Sequence, residues 1–390
     1  MSASRRDFLA RSTQLGVLLG AGVPLLQACG GDDKKTSSGK DPIADGLSPE
    51  KGPLRIINYA DYVNLEVIAD FEAEYGVKVE ISTIDTDTEA TTKLASGAIK
   101  ADVHHSMAGT SIGNLIAGGL IQPLNRSYIP NFANVISTFN DPWYDPGARY
   151  SVPYTFFGTG IGFRTDRIDR ALVDEQGWDT IWNATDFKGE VSVLDDEREA
   201  FTMAMLRRGV TDINTTDQAI IDQALADVSE LIDLVNVKVN IEAYKDIPEG
   251  TTTVAQTWSA DLIAGAAGYL PEGVSDEVLG FWHPPAGEYV VTNDSMGVLA
   301  AAESPVLAHL YLNYLLDNEV AEKNFSWVGY LPAIAKLDAD YVIAAGYVPE
   351  HLRNCVPTAD EISKALFLKP LGAEGDAKYE DAWARFTAGG

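Results

Sequence analysis

From residue 54 onward, two rhythms of apolar and polar positions take turns. Leu54-Arg55-Ile56-Ile57 is a short apolar run after Gly52-Pro53 and reads as a strand. Leu65, Ile68, Ala69, Phe71 and Tyr75 recur at helical spacing and stop at Gly76, which predicts a helix from Leu65 to Tyr75. Val77-Lys78-Val79-Glu80-Ile81 alternates as a strand does. Glu89 to Ala95 reads as a helix stopped at Gly97, Ala101 to His104 as a third strand, and Ser111 to Ala117 as a helix stopped by Gly118-Gly119. Strands that alternate with helices imply a parallel sheet covered on both faces. Ligands of such sheets bind beyond the carboxyl ends of the strands.

The middle of the chain changes character. Tyr150-Ser151-Val152-Pro153-Tyr154 leads into Gly158-Thr159-Gly160-Ile161-Gly162-Phe163, where closely spaced glycines permit backbone angles closed to other residues. The segment reads equally as a hinge crossing or as a Gly-rich strand. Gln218 to Leu234 is a long amphipathic helix, and Leu307 to Leu316 is an apolar, aromatic one.

The N-terminus is patterned for export. Ser4-Arg5-Arg6-Asp7-Phe8-Leu9 precedes the apolar run Leu15 to Leu26, too short to span a bilayer of roughly 30 Å. Leu26-Gln27-Ala28-Cys29 resembles the bacterial lipobox, which implies lipidation at Cys29. Residues 1–28 then form a twin-arginine signal peptide. Residues 29–50, rich in Gly, Asp, Lys, Ser and Pro, form a flexible tether. The mature protein is expected outside the cytoplasm, lipid-anchored to the membrane.

Composition narrows the partners. The chain has 390 residues, 46% of them apolar, enough for two domains. A net charge of −28 argues against nucleic acid and fits a cationic ligand, although general solubility accounts for it as well. Cys355 has no partner once Cys29 is used for the anchor, so it reads as a plain thiol.

Four segments carry candidate chemistry. Tyr59, Asp61 and Tyr62 follow the first strand, at the end where ligands bind; they also fit a loop with packing tyrosines. Asp196 and Glu199, after Val191-Ser192-Val193, share one helix face, suited to an ammonium or simply to capping. Trp258 follows the plausible strand Thr252 to Ala255, and Asp294 ends the strand Tyr289 to Asn293. Core packing and a turn are the plain readings of those two. No phosphate loop is present, and the adjacent His104 and His105 point to opposite faces of a strand. No catalytic residue, cofactor or metal is expected. Asp196 and Glu199 on a single helix would not flank a scissile bond, so an exported enzyme is disfavoured.

In order, the aromatic-acidic loop, Val152-Pro153-Tyr154, Thr159-Gly160-Ile161-Gly162, Asp195-Asp196-x-Arg198-Glu199-x-Phe201, Trp258, Asp294-Ser295 and Val328-Gly329-Tyr330-Leu331-Pro332 resemble the spermidine/putrescine-binding proteins of polyamine ABC importers. The resemblance runs from about residue 54 to 334, and the Asp-Asp-x-Arg-Glu-x-Phe segment is its most specific part. It implies an α/β fold of the two-lobe periplasmic-binding-protein kind (type II-like), each lobe a mostly parallel sheet flanked by helices, joined by hinge crossings. The expected lobes are residues 53–159 with 295–340, and 160–294 with 341–390. The implied ligand is a polyamine-like cation of the putrescine or spermidine type, handed to an ABC transporter permease. Another small amine, an opine or an amino-acid derivative is the alternative on the same fold. The implied binding residues are Tyr59, Asp61, Tyr62, Asp196, Glu199, Trp258, Asp294 and Tyr330. Carboxylates would take the amines and aromatic rings the methylene chain. Three departures stand out: Thr292 occupies a family Trp position, His105-Ser106-Met107-Ala108 lacks the family tyrosine, and a late Gln has no counterpart.

Overall fold

The computed structural model describes residues 41–84 and 86–389. The export signal and Cys29 lie outside the described residues. β1 (Leu54–Tyr59) runs parallel to β2 (Val79–Ile84) on one side and β3 (Val103–Ala108) on the other. The helix Leu65–Tyr75 is capped by the Asn64 side chain and ends at Gly76, in the left-handed conformation at φ 67°. β2 and β3 run further toward their carboxyl ends than alternation alone predicts. The cause is pairing: β2 stays in register with β1 as far as Tyr59 opposite Ile84, and β3 meets β9 (Val291–Val298) antiparallel, as far as Ala108 opposite Asp294.

β4 (Ser151–Arg164) unites the molecule. Its first part, Ser151 to Gly158, pairs antiparallel with β9, and the short β10 (Leu331–Pro332) pairs with it at Phe156 and Thr155. From Thr159 to Arg164 it changes partners to β7 (Val254–Trp258) and β8 (Leu279–Trp282). β5 (Val191–Val193) then lies parallel to β7 and to β6 (Lys238–Val239). The sheet order is β2-β1-β3-β9-β4-β7-β5-β6, two parallel half-sheets joined through antiparallel strands. Two further chain passes lie beside the switch. Thr159 N donates to Val290 O at 3.0 Å, Val291 N to Leu366 O at 3.1 Å, and Leu366 N to Tyr289 O at 2.9 Å.

The Gly-rich segment is thus both a regular strand and a crossing. None of Gly158, Gly160 and Gly162 has a positive φ. Space, not backbone freedom, demands glycine. A Cβ on Gly158 would lie 1.9 Å from the Tyr289 hydroxyl, and one on Gly160 would lie 2.1 Å from Trp282 O.

One core runs through both half-sheets, reaching Ala255, Leu262 and Phe281, and each half-sheet has a further cluster of its own. Leu54, Ile56, Phe71, Val103 and Tyr311 share one core; Ile57, Ile84, Met107, Ile112 and Leu115 cover the opposite face of the first half-sheet. Val191, Val193, Phe201, Val228, Leu231 and Val254 form the core of the second, closed by Tyr379 and Phe386 of the C-terminal helix Gly372–Thr387. Two placements depart from the boundaries expected above. Asp294 pairs within the first half-sheet, opposite Ala108 and Thr155. Residues 43–50, expected in the tether, are held on the body. Asn125 Nδ2 donates to Ile43 O at 2.8 Å, the Tyr128 hydroxyl to Ala44 O at 2.8 Å, and Glu50 accepts from Leu307 N at 2.9 Å at the start of the helix Pro305–Leu315. Specific side-chain hydrogen bonds offset the ordering cost that composition predicts for this segment.

Among the described residues no helix is long and apolar enough to cross a membrane, and no group of three His, Cys, Asp or Glu is placed to hold a metal.

Candidate ligand-binding site

The strand ends and the switch on β4 bring five aromatic rings into one row. Tyr59 to Tyr62 is 6.0 Å between ring centroids, Tyr62 to Tyr330 5.4 Å, Tyr330 to Phe157 5.3 Å, and Phe157 to Trp258 5.6 Å. The row starts at the carboxyl end of β1 and finishes at the carboxyl end of β7, so it crosses from one half-sheet to the other.

Carboxylates stand along this row. Asp294 is 8% exposed, and its Oδ2 accepts from the Tyr62 hydroxyl at 2.6 Å. Tyr62 has spent its only proton there, so the Thr155 hydroxyl, 2.6 Å away, donates to it. Burial pushes the Asp294 carboxyl up to about 7, against the lowering effect of Tyr62. At the other end, Asp196 caps the helix Glu197–Arg207; its Oδ1 accepts from Arg198 N and Glu199 N at 2.9 Å each. Glu199 is 3% exposed. Its Oε1 takes the Thr159 hydroxyl at 3.2 Å and Trp258 Nε1 at 3.5 Å, while its Oε2 is buried without a hydrogen-bond partner. Burial, and then the neighbouring Asp196 charge, raise Glu199; burial raises Asp196 as well.

Two further carboxylates were not among the expected residues. Asp261, 1% exposed in the helix Ser259–Gly268, accepts from the Thr257 hydroxyl and, at 2.7 Å, from the Tyr330 hydroxyl. Burial pushes it up to about 6. Asp87 opens the helix Asp87–Ala95. Its charge and those of Asp294 and Asp196 face Tyr59, whose hydroxyl burial keeps protonated. An acid in the first turn of a helix ordinarily complements the helix dipole, so sequence alone gives Asp87 no distinguishing mark, and Asp261 only its place three residues after Trp258.

Asp61 is the expected residue that the structure leaves out of the cluster. It is exposed, in the left-handed region at φ 53°, where the chain turns between Tyr59 and Tyr62. The remaining expected residues, Tyr59, Tyr62, Asp196, Glu199, Trp258, Asp294 and Tyr330, lie along the aromatic row. Thr292 faces Phe157 across the β4–β9 register, and its hydroxyl is buried without a partner.

Positive charge is scarce here. Among the described residues, no ion pair includes Asp196, Glu199, Asp261 or Asp294. Arg198 softens the Asp196 and Glu199 charges from a distance: its two terminal nitrogens donate to Lys369 O, Ile213 O and Asn214 Oδ1, and its Nε is buried without a hydrogen-bond partner. Asp87 has one imidazole nearby, that of His104 at 3.9 Å, which burial pushes down to about 4 and so leaves neutral at physiological pH. The cluster thus combines buried and half-buried acids, one unsatisfied carboxylate oxygen on Glu199 and no ion-paired cation among the described residues.

Comparison with known proteins agrees with the resemblance read from the sequence. The family described as bacterial extracellular solute-binding protein matches residues 66–346. The spermidine/putrescine-binding periplasmic protein of Salmonella typhimurium is 26% identical over 340 residues, covering 86% of this chain and 92% of that protein. The putrescine/cadaverine-binding protein of Pseudomonas aeruginosa is 27% identical over 293 residues, 73% of this chain and 80% of that protein. A putative spermidine/putrescine ABC transporter protein from Listeria monocytogenes superposes with a TM-score of 0.72 at 23% identity, over 86% of this chain and 98% of that one. The glucopine complex of MotA from Agrobacterium tumefaciens shares the fold at a TM-score of 0.63 and 14% identity, over 86% of this chain and 99% of that one. With two half-sheets joined at β4, an acidic, aromatic cluster where they meet and a family match over most of its length, the chain belongs to the bacterial extracellular solute-binding proteins.

Proposed function

We propose that this protein captures a polyamine-like cation between its lobes and delivers it to an ABC transporter permease without chemical turnover. The observation that carries the reading is Glu199: a nearly fully buried carboxylate with one oxygen unsatisfied and no basic partner, at the end of an aromatic row. An alkylammonium supplies the missing donors and the missing charge. Its methylenes lie on the rings, gaining about 0.8 kcal/mol per buried CH₂. Each ammonium near a ring face adds about 0.5–2 kcal/mol. The relatives named for spermidine, putrescine and cadaverine support this ligand class.

β4 provides the ruler. Thr155 serves the Tyr62–Asp294 end and Thr159 the Glu199 end, four residues apart on the same face of the strand, or about 13 Å. The carboxylates reach inward from those anchors, which suits a guest with amines at both ends. The lobes of this trap part at Gly158–Thr159 on β4. Twin-arginine export and a lipid anchor at Cys29 complete the proposal, placing the protein at the outer face of the membrane.

The test is isothermal titration with putrescine, cadaverine, spermidine, spermine, choline and arginine, with thermal shift in parallel. Diamines or triamines are expected to bind most tightly and to raise Tm. Failure of every cationic amine to bind refutes the proposal.

A further inference from the structure

Asp87 stands at the start of the helix Asp87–Ala95, beyond the carboxyl end of β2, and its two oxygens have different surroundings. Oδ2 is a structural acceptor. It takes Ala108 N at 2.8 Å and the Ser111 hydroxyl at 2.7 Å, tying this helix to the end of β3 and to the helix Gly109–Ala117. The other oxygen, Oδ1, is buried and has no hydrogen-bond partner, although the side chain is 14% exposed. The one imidazole within reach, His104, is neutral, so it supplies no charge. Toward the aromatic row, Asp87 lies within side-chain hydrogen-bonding reach of the Tyr59 hydroxyl and faces the Asp294 carboxyl, which stands on β9. Two carboxylates from different elements therefore border one end of the aromatic row.

We propose that Asp87 is a specificity-determining residue that, with Asp294 and Tyr59, selects a primary ammonium at this end of the guest. The inference rests on the amine-capture reading above. A primary ammonium has three N–H donors, enough for Asp294, for Asp87 Oδ1 and for the Tyr59 oxygen. A dialkylated ammonium keeps its charge but has one donor and cannot serve both carboxylates. Asp87 thus reads the number of donors at the amine as well as the charge.

The test compares wild type with Asp87→Asn, titrating each with putrescine and with N,N,N′,N′-tetramethylputrescine. Asparagine keeps an acceptor for Ala108 N and Ser111, so the fold and Tm are expected to hold. Putrescine affinity is expected to fall about 10- to 100-fold, as for the loss of one charge-assisted hydrogen bond. Affinity for the tetramethyl guest should fall much less, narrowing the selectivity ratio, which a purely structural role would leave in place. If Asp87→Asn binds both guests as wild type does, or loses both equally, the inference is overturned and amine capture stands. If wild type binds no amine, both fall. Should Asp87→Asn lower Tm markedly, Asp87→Glu decides: it keeps the charge, and retained selectivity for putrescine supports the role whereas a selectivity ratio as narrow as that of the asparagine variant overturns it.

Discussion

On the proposed reading, capture at these carboxylates is linked to protons, and the linkage is calculable. Burial places the Asp294 carboxyl at about 7 and the Asp261 carboxyl at about 6, and raises Asp196 and Glu199 in the same direction. Tyr59, Tyr62 and Tyr330 stay protonated and His104 stays neutral, so the carboxyls are the groups that titrate. An alkylamine, with a pKa near ~10, is charged throughout. To pair with it, Asp294 must lose its proton. At about pH 5.5 that costs about 2 kcal/mol, roughly 1.5 units at about 1.4 kcal/mol each. Asp294 alone therefore weakens affinity about 30-fold relative to about pH 8.5, and Glu199 steepens the dependence. Stability of the empty protein runs the other way. Folding raises Asp294 from 3.8 to about 7, so its contribution is fully present below 3.8 and is lost as pH rises through about 7. The loss amounts to about 4 kcal/mol by about pH 8. The assay is titration calorimetry with putrescine from about pH 5.5 to 8.5, in buffers of different ionisation enthalpy that report proton release. A Kd that varies less than about threefold over that range, with no proton released, refutes the reasoning.

Three further outcomes are expected. Glu199→Gln removes the unpaired buried carboxylate; it should raise the Tm of the empty protein above about pH 7 and weaken diamine binding by about 10- to 100-fold, read by thermal shift and calorimetry. Asp61→Ala should change affinity less than about threefold, because an exposed charge acts only through a screened field; a larger loss would place Asp61 in the bound site after all. Gly158→Ala drives a Cβ into the Tyr289 hydroxyl and should destabilise by about 3 kcal/mol or more, seen as a lower denaturant midpoint with m unchanged.

Local patterns were legible in the sequence and long-range ones were not. The βαβ rhythm from Leu54 to Ala117 follows from apolar spacing, because each element buries its own face. Asp196 and Glu199 share a helix face by spacing alone, and Asp196 is the cap that its position before the helix suggests. That Glu199 meets Thr159 and Trp258, 40 and 59 residues away, depends on β4 changing partners, which no local signal encodes. The Gly158-Gly160-Gly162 run is visible in sequence, but its reason, the closeness of Tyr289 and of Trp282 O, is tertiary. Asp61 shares a loop with two site tyrosines, yet a single positive-φ residue turns it outward. Asp261 and Asp87 stand in first helical turns, where acids are common for dipole reasons, so only burial sets them apart.

The proton and the amine compete for the same oxygens, and that competition explains how such a site tolerates being empty. Like charges packed into one low-dielectric cleft repel strongly. The empty cleft relieves the strain in two ways on the proposed reading: it holds protons on Asp294 and its neighbours, or it parts the lobes and lets water in. A guest carrying one ammonium displaces protons at one end only and leaves the other end as it was. A guest with an ammonium at each end displaces both sets, and its charges then hold the half-sheets together across β4. Closure is favoured by the difference between what the cation gains in the closed and open forms, as any ligand-driven shift requires. The carboxylates that make the empty closed form costly are therefore the same groups that make closure conditional on a multiply charged amine.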